Sequence, residues 1–458
     1  MTNEKLKLKE KIGYGFGDAA SSMFWKLFSM YLMFFYTDIF GISAAVVGTM
    51  FLITRIWDAA FDPVVGVIAD RTSSRWGKFR PFLLWGAVPF GAAGVLTFTT
   101  PSFGPLGKIV YAYITYSIMM MLYSLVNVPY ASLLGVMSDD GKERTALSSY
   151  RMVFAFAGSI LVLAMINPLV ALFGGNHAGH ESRAWQLSVM VFAVIAAVLF
   201  YFTFAWTKER VRPIKVDRVS LKSDVKDLLA NRPWWILLGS GIAALIFNSI
   251  RDGAAIYYFK YFVQRQDLVS LFLVLGQASN IIGIIFVTPL ANRFGKKRTY
   301  LYAMAIATML SVAFYWMNAE NIILIIVLQC LISICAGSIF PLLWSMYADI
   351  ADYSEYKTGR RATGLIFSSS SMSQKFGWTL GGALTGWLLA IYGFKANVVQ
   401  TEEVQSGIRM MLSLFPAIGT ILSVLFISIY PLDERKMEEI TGALAAQRDE
   451  TPPQTVTE

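Results

Sequence analysis

Three charged residues lie in the stretch RIWDAAFDPVVG (55–66), which is otherwise apolar enough to cross a membrane. Arg55, Asp58 and Asp62 are spaced i, i+3 and i+7, so they share one face of a helix. An acid or base at the centre of a membrane span costs roughly 2.5–3.5 kcal/mol. This face should therefore point into a wet or protein-lined interior, where two carboxylates can bind a small cation or carry a proton.

The surrounding sequence offers further oxygen ligands. Pro63 frees the backbone carbonyl of Ala59, four residues earlier. Further along, the stretch YSLVNVPYAS (123–132) places Ser124 and Asn127 one helical turn apart. If these two helices are neighbours, four side chains form an oxygen cage for a cation: Asp58, Asp62, Ser124 and Asn127. The alternative is a structural salt bridge, of Arg55 with Asp58 or of another basic residue with Asp62.

The composition indicates an all-α integral membrane protein. Of 458 residues, 56% are hydrophobic and 15% are charged, below the roughly one quarter that is typical of soluble domains. Apolar runs of about 20 residues recur, and each is long enough to span a bilayer as a helix. They predict twelve spans, at 12–38, 43–69, 82–101, 109–136, 147–173, 184–206, 234–262, 268–290, 299–318, 321–350, 364–392 and 407–430. The alternative, a large soluble core, is disfavoured by so many long runs.

The basic residues predict the orientation. Of 39 Lys and Arg, 28 fall before the first span, in alternate loops and after the last span. By the positive-inside rule both termini and the 208–232 loop are cytoplasmic. The net charge of +9 then reflects topology and does not require a nucleic-acid partner. The charged start MTNEKLKLKEK leads directly into a span, so we expect no cleavable signal peptide and a location in the plasma (inner) membrane.

Other chemistries find little support in the sequence. Cys330 and Cys335 lie on different faces of one span, so a disulfide or a metal pair is not expected. His177 and His180 lie in a polar loop without clustered ligands. The sequence contains no Walker-type nucleotide loop and no visible Ser–His–Asp set, so we predict neither an enzyme nor an ATP-driven pump. Apart from the coupling ion no cofactor is expected.

A basic turn occurs twice, as DRTSSRWGKFRP (70–81) and as NRFGKKR (292–298). It is similar to the signature loop of the major facilitator superfamily, which implies two six-helix halves with a pseudo-two-fold relation. The corresponding predicted divisions are 1–207, a central loop at 208–232 with a short amphipathic helix at 221–230, 233–431, and a disordered tail at 432–458. The turns are predicted to gate the cytoplasmic side, with Asp70 capping or pairing with an arginine; the alternative is a solvated basic loop. The predicted gate residues are Asp70, Arg71, Arg75, Gly77, Lys78, Arg80, Arg293 and Lys296.

Motifs along nearly the whole chain resemble the glycoside–pentoside–hexuronide:cation symporters, the melibiose-permease-like branch of that superfamily. They include GYGFGDAASS and YTDIFG around the first span, RIWDAAFDP, NVPYASL, SYRMVFA, ADIADYSEYKTGRRATG and QKFGWTLGGALTGW. The resemblance implies sugar import coupled to Na+ or H+, with the cation carboxylates at Asp58 and Asp62 and a hydroxyl ligand at Ser124. It also implies functional roles for Arg151 and Lys375.

The chain departs from the family's pattern at the sugar. Members carry sugar-binding carboxylates where this chain has Ser22 and Asn127, so galactoside specificity does not carry over. Lys26, in the middle of the first span, would suit an anionic sugar such as a hexuronide. The alternative is an ion pair of Lys26 with Asp252 or another buried acid, and a neutral pentoside or glycoside remains an open alternative for the substrate. The predicted substrate contacts are Asp18, Ser22, Lys26, Tyr123, Asn127, Tyr130, Arg151, Trp344, Lys375 and Trp378. Arg55, Arg251 and Asp252 are predicted to form a supporting charge network.

The sequence thus predicts a monomeric symporter in the lipid bilayer that works by alternating access. Two alternatives remain: a Na+-coupled lysolipid carrier of the same fold, and a sugar receptor that does not transport.

Overall fold

The computed structural model describes residues 6–138, 141–175, 177, 179–210, 226, 228–358 and 363–450. The regular structure of these residues is helical. The helices of the first half of the chain are α1 (Leu8–Lys26), α2 (Ala44–Arg71), α3 (Arg80–Thr97), α4 (Pro105–Met137), α5 (Gly141–Leu172) and α6 (Glu181–Trp206). Those of the second half are α7 (Arg232–Tyr257), α8 (Val269–Phe294), α9 (Lys296–Phe314), α10 (Ile322–Gly337), α11 (Ile339–Thr358), α12 (Thr363–Ile391), α13 (Glu402–Leu412), α14 (Leu414–Ser428) and α15 (Glu434–Glu450).

Every predicted span coincides with a helical segment. Seven stretches within the described residues are long and apolar enough to cross a membrane: Pro105–Met137, Ala146–Leu172, Glu181–Trp206, Arg232–Phe262, Gln266–Phe294, Ile322–Thr358 and Glu402–Ser428. The other five predicted spans form helices as well. The one at 43–69 owes its lower hydropathy in part to Arg55, Asp58 and Asp62.

Several spans are not regular α-helices from end to end. The first span continues beyond Lys26 through two π-helical segments, Leu27–Leu32 and Phe35–Phe40, and ends at Gly41 with φ +85°. The tenth span is divided between α10 and α11 at Ser338, and the twelfth between α13 and α14 at Ser413. Such irregular segments are frequent at functional sites.

The chain forms two compact units. Unit 1 comprises residues 1–215, 252–277 and 382–409, and unit 2 comprises 216–251, 278–381 and 410–458. Segments from the second half of the chain therefore group with the first half. Glycines allow this close packing within unit 1: a Cβ atom at Gly386 would lie 2.4 Å from the carbonyl oxygen of Ala44 and 2.9 Å from Gly48. Small residues of this kind let transmembrane helices approach closely.

The predicted disorder of the tail at 432–458 is wrong for residues 434–450, which form helix α15. Leu432, Ile440 and Leu444 join the buried hydrophobic cluster of unit 2, and burying such side chains stabilises the docked helix by roughly 1.5–3 kcal/mol each. Residues 451–458 lie outside the described residues, as does most of the predicted amphipathic helix at 221–230.

Candidate functional site

Two of the predicted cation ligands, Asp58 on α2 and Ser124 on α4, lie next to each other in unit 1. Asp58 is 2% exposed. Its Oδ1 atom accepts a hydrogen bond of 2.7 Å from Ser124 Oγ, and its Oδ2 atom accepts one of 3.3 Å from Arg55 Nη1. The i, i+3 spacing of Arg55 and Asp58 on α2 brings the second pair together, as the sequence indicates. Asp58 thus joins the candidate cation ligand Ser124 to a fixed positive charge.

Two other predicted ligands flank this pair. Asp62 lies one turn further along α2, half-buried, with its Oδ1 atom enclosed by protein. The side-chain amide of Asn127 donates to the carbonyl oxygen of Tyr123 in its own helix at 3.1 Å. The structure therefore brings Ser124 to Asp58 directly, whereas the amide nitrogen of Asn127 is engaged elsewhere. The side chains of Ala59 and Pro63 lie outside the described part.

Arg55 connects the acidic cluster to α1. Its guanidinium lies over the ring of Trp25, 4.7 Å from the centroid, and the ring of Trp25 lies 5.9 Å from that of Tyr123. A cation–π contact of this kind contributes about 0.5–2 kcal/mol. Arg55, which is hydrogen-bonded to Asp58, is therefore in contact with α1, the helix that carries several of the predicted substrate residues.

A polar stripe runs along α1. Asp18, Ser22 and Lys26 are spaced by four residues, so they lie on one helical face. Each end of the stripe is an ion pair. Asp18 Oδ2 accepts a hydrogen bond of 2.9 Å from Arg151 Nε on α5, and Asp252 Oδ2 on α7 accepts one of 3.3 Å from Lys26 Nζ. Lys26 is thus paired with Asp252, which is the alternative that the sequence offers for this residue.

These pairs are not sealed from solvent. The exposed fractions of the side chains are 16% for Asp18, 35% for Arg151, 11% for Lys26 and 21% for Asp252. Ionisable groups inside a membrane bundle usually face its interior or a water-filled cavity. Both pairs therefore have groups within reach of a polar solute.

Tyr130 differs from its predicted role as a sugar contact. It is fully buried, its ring stacks on that of Tyr14 at 4.8 Å, and its hydroxyl donates to the carbonyl oxygen of Tyr14 at 2.7 Å. The guanidinium of Arg151 lies over the Tyr130 ring at 5.3 Å. Tyr130 therefore packs against Arg151, and protein covers its ring, so the ring is not available to a sugar.

Arg251 is a predicted member of the charge network. It is 6% exposed in unit 2, where its guanidinium donates to the carbonyl oxygen of Leu412 and to Gln329 Oε1 and lies over the ring of Phe314 at 5.2 Å. Because Leu412 ends α13, Arg251 satisfies a carbonyl group at the break in the twelfth span. These contacts hold the end of α13 against α7.

The remaining predicted substrate residues lie in unit 2. Trp344 is on α11, and Lys375 and Trp378 are on α12, all of them half-buried. The carbonyl oxygen of Trp378 accepts a hydrogen bond of 2.9 Å from Ser249 Oγ on α7. A role of these three residues in substrate binding stays a prediction.

The first basic turn is organised by an acid that the sequence analysis missed. Gly77 has φ +108°, and the carboxylate of Glu209, just after α6, accepts hydrogen bonds from the backbone N–H groups of Lys78, Phe79 and Arg80 at 2.8–3.0 Å. The guanidinium of Arg80 donates to the carbonyl oxygen of Phe204 at 2.6 Å. These bonds satisfy the free N–H groups at the start of α3.

The second basic turn repeats this arrangement in unit 2. Gly295 has φ +87°, and Glu434, the first residue of α15, accepts a hydrogen bond from the backbone N–H of Lys296. The Nζ atom of Lys296 pairs with Asp349 on α11 at 2.7 Å. The matching signal in the sequence is KER at 208–210 and DER at 433–435. The partner predicted for these turns, Asp70, has a side chain outside the described part, while Arg71 and Arg75 are exposed.

A second polar group was also missed, at the π-helical segments that follow α1 and α7. This Asp38 cluster consists of Thr37, Asp38, Tyr257, Lys260, Tyr261 and Asn397. Asp38 is 5% exposed and accepts hydrogen bonds from Lys260 Nζ at 2.7 Å, from Thr37 Oγ1 at 2.7 Å and from the hydroxyl of Tyr261. Asn397, at φ +59°, accepts from Lys260 at 2.8 Å and donates to the Asp38 carbonyl oxygen. Residues distant in sequence are thereby tied together.

Within the described residues, no group of three or more His, Cys, Asp and Glu side chains is arranged to hold a metal ion. Ionisable groups form ion pairs on α1 and on α2. Na+ binds to hard oxygen ligands, and the oxygens of Asp58, Asp62 and Ser124 are of this kind.

Comparison with known proteins identifies the family. Residues 13–434 match the model of the family described as "MFS/sugar transport protein". The chain is 38% identical to the inner membrane symporter YicJ of Escherichia coli (strain K12), over 97% of this chain and 96% of that protein. It is 37% identical to an isoprimeverose transporter of Lactiplantibacillus pentosus (93% and 89% covered) and 33% identical to a glucuronide carrier protein homolog of Escherichia coli (strain K12) (96% and 95% covered). With a match over nearly its full length, and with the helical segments described above, the chain belongs to the MFS/sugar transport protein family.

Proposed function

We propose that the chain is a secondary active symporter that imports an uncharged glycoside together with Na+ or H+. The observation that carries this proposal is the contact of Asp58 with both Ser124 and Arg55. The family match and the symporter among the relatives support coupling to a cation. We expect the protein to lie in the plasma (inner) membrane with both termini in the cytoplasm.

The charges of the cluster fit one monovalent cation. With both carboxyl groups ionised, Asp58 and Asp62 contribute two negative charges and Arg55 one positive charge, which leaves a net charge of −1. A single Na+ or H+ neutralises the cluster. Because uncompensated charge is costly inside the membrane, the loaded cluster is more favourable than the empty one when the site is closed to water.

Coupling follows from the contact between the cluster and α1. An ion at Asp58 competes with Arg55 for the same carboxylate, and Arg55 lies on Trp25, next to Lys26 in sequence. A shift of Arg55 therefore acts on the helix that carries the polar stripe. If the ion raises the affinity for sugar, sugar raises the affinity for the ion by the same factor.

The polar stripe supports an uncharged substrate with two sugar rings. Asp18 and Lys26 are eight residues apart on α1, which corresponds to about 12 Å along the helix. Each is already paired with an opposite charge, so the two pairs offer hydrogen bonds without a net charge. A two-ring glycoside spans such a length, while a single ring does not reach both ends. A hexuronide would bring a carboxylate to a stripe whose positive charges are already balanced.

Uptake into proteoliposomes tests the proposal. Wild-type protein should accumulate a glycoside under an imposed Na+ or pH gradient, and only one of the two ions should drive accumulation fully. Asp58→Asn should abolish accumulation while sparing downhill exchange, and Asp267→Asn, in an exposed loop, serves as the matched control. Full accumulation by Asp58→Asn would refute the coupling site. Sugar binding without accumulation by wild type would indicate a receptor, and uptake of lysolipids alone would indicate the lipid carrier.

A panel of sugars tests the substrate class. Wild type should prefer uncharged two-ring glycosides to uronides. Asp252→Asn leaves the charge of Lys26 without this partner and should shift the uronide-to-glycoside uptake ratio upward by about tenfold, equivalent to about 1.4 kcal/mol. Asp252→Glu keeps the charge and should leave the ratio nearly unchanged. A wild-type preference for uronides would overturn the assignment of an uncharged substrate and leave cation coupling intact.

A further inference from the structure

A basic cavity lies on unit 2 beside the second basic turn, remote in sequence from the predicted cation ligands and from the polar stripe of α1. Its volume is about 660 Å³, within the range of about 300–1,000 Å³ that is usual for small-molecule sites. Four basic side chains line it, Arg293, Lys297, Arg298 and Arg435, with three acidic ones, Asp433, Glu434 and Glu438. The cavity therefore carries a net positive charge.

The acidic side chains that line the cavity do not form ion pairs with two of its arginines, Arg293 and Arg298. Glu434 is engaged by the backbone N–H of Lys296, and Asp433 Oδ1 accepts a hydrogen bond from the backbone N–H of Lys436 at 3.0 Å. Arg293 and Arg298 are exposed on either side of Gly295. In the part of the chain that the structure describes, neither guanidinium has a carboxylate within ion-pair distance. Two guanidinium groups at one site are well suited to hold a phosphate.

An apolar groove adjoins this cavity. Its volume is about 270 Å³, and its lining from α8, α9 and α10 is almost entirely apolar, with Phe286, Leu290 and Ile306 exposed. Phe294 lines both the groove and the basic cavity. Between Gly283 and Phe294, the groove follows α8 for eleven residues, or about 16 Å. A continuous site thus has a cationic end and a long hydrophobic end.

We infer that this site binds an anionic phospholipid, with the phosphodiester headgroup between Arg293 and Arg298 and one acyl chain in the groove. The positive charge of the cavity favours an anionic headgroup, and the apolar groove favours a hydrophobic tail. Inorganic phosphate has no such tail, so we do not expect it to be the natural occupant. By the positive-inside pattern this turn faces the cytoplasm, where basic pockets between transmembrane helices bind anionic headgroups. The lipid would lie against the turn that Glu434 and Lys296 organise.

Native mass spectrometry of the full chain tests the inference. Detergent-purified protein is incubated with phosphatidylglycerol or with phosphatidylcholine of the same acyl chains. Wild type should retain phosphatidylglycerol at least about tenfold better, equivalent to about 1.4 kcal/mol. The double variant Arg293→Gln/Arg298→Gln should lose that preference, and Arg75→Gln, at the equivalent turn of the first half, should keep it.

A second pair of variants tests the groove without changing any charge. Ala303→Phe fills the groove and should lower retention of both lipids, whereas Ala305→Phe, on the same helix but outside the lining, should not. Thermal unfolding verifies that each variant is folded. If the double arginine variant does not fold, the comparison of Ala303→Phe with Ala305→Phe tests the inference. Equal retention of the two lipids by wild type, or unchanged retention in both the arginine variant and Ala303→Phe, would overturn the inference.

Discussion

The carboxyl group of Glu209 lies so close to Gly77 that a Cβ atom at position 77 would come within 2.6 Å of it. The same relationship recurs in unit 2, where a Cβ at Gly295 would come within 2.2 Å of the carboxyl group of Glu434. In each case a glycine with positive φ and an acid from the end of a six-span half together start the next helix. The two turns therefore share the contact between a glycine and a carboxyl group as well as their basic residues.

Replacing Gly77 with alanine should destabilise the protein by more than backbone strain alone. A non-glycine residue at this φ costs about 1–3 kcal/mol, and the added Cβ would also displace Glu209 from three backbone N–H groups. Gly41→Ala is the matched control, because Gly41 has φ +85° and no atom within 4 Å of its Cβ position. Thermal unfolding in detergent should show a larger loss for Gly77→Ala. Equal losses would mean that the Glu209 contact contributes nothing.

Replacing Ser124 with alanine should weaken ion binding without abolishing transport. The hydroxyl donates to a buried carboxylate at 2.7 Å, and hydrogen bonds to charged groups contribute about 1.5–3 kcal/mol. The concentration of the coupling ion at half-maximal uptake should therefore rise by roughly 10- to 100-fold. Ser132→Ala on the same helix, whose hydroxyl donates only to the backbone of Val128, serves as the control. An unchanged ion dependence in Ser124→Ala would remove Ser124 from the site.

The pair Lys26–Asp252 should behave non-additively in a double-mutant cycle. Removing one member of a buried ion pair typically costs about 3–5 kcal/mol, while replacing both with apolar residues is often neutral. Lys26→Met and Asp252→Leu should each lower the free energy of unfolding, and the double variant should recover much of it. Glycoside uptake should stay impaired in the double variant, because this end of the polar stripe then has no polar partner for the sugar. Normal uptake there would show that the pair is only structural.

Breaking the Asp38 cluster should destabilise unit 1. Asp38 is buried and paired with Lys260 at 2.7 Å, so Asp38→Asn leaves the ammonium group without its charged partner. Asp267 forms an ion pair with Arg265 at 2.8 Å but is 60% exposed, and exposed pairs contribute only about 0–1 kcal/mol. Asp38→Asn should therefore lower the unfolding temperature clearly more than Asp267→Asn. Similar shifts for the two variants would contradict a stabilising role of the cluster.

The sequence predicts local features of this protein better than distant pairings. The i, i+3 spacing predicts that Arg55 and Asp58 share a face, and the apolar runs predict the helical segments. Lys26 with Asp252 was one of two alternatives, because spacing within a helix gives no information on its neighbours. Glu209, Glu434 and the Asp38 cluster were missed, since an acid after a helix end is indistinguishable in sequence from a solvated loop residue.

Burial explains where individual predictions differ from the structure. Tyr130 has the residue type of a sugar platform, yet the ring of Tyr14 covers it. Arg251 and Asp252 are adjacent in sequence, but successive residues on a helix point about 100° apart, so they face different surroundings. The tail helix α15 was missed because its exposed face is rich in charge, while its few apolar residues are spaced to pack on unit 2.

The interruption of the twelfth span at Ser413 is stabilised by a residue from a distant part of the chain. A backbone carbonyl without a partner is not tolerated in the lipid interior, and the carbonyl of Leu412 is satisfied by Arg251, a residue translated 161 positions earlier. The interrupted form of the last span therefore depends on a contact with α7, which belongs to a distant part of the chain.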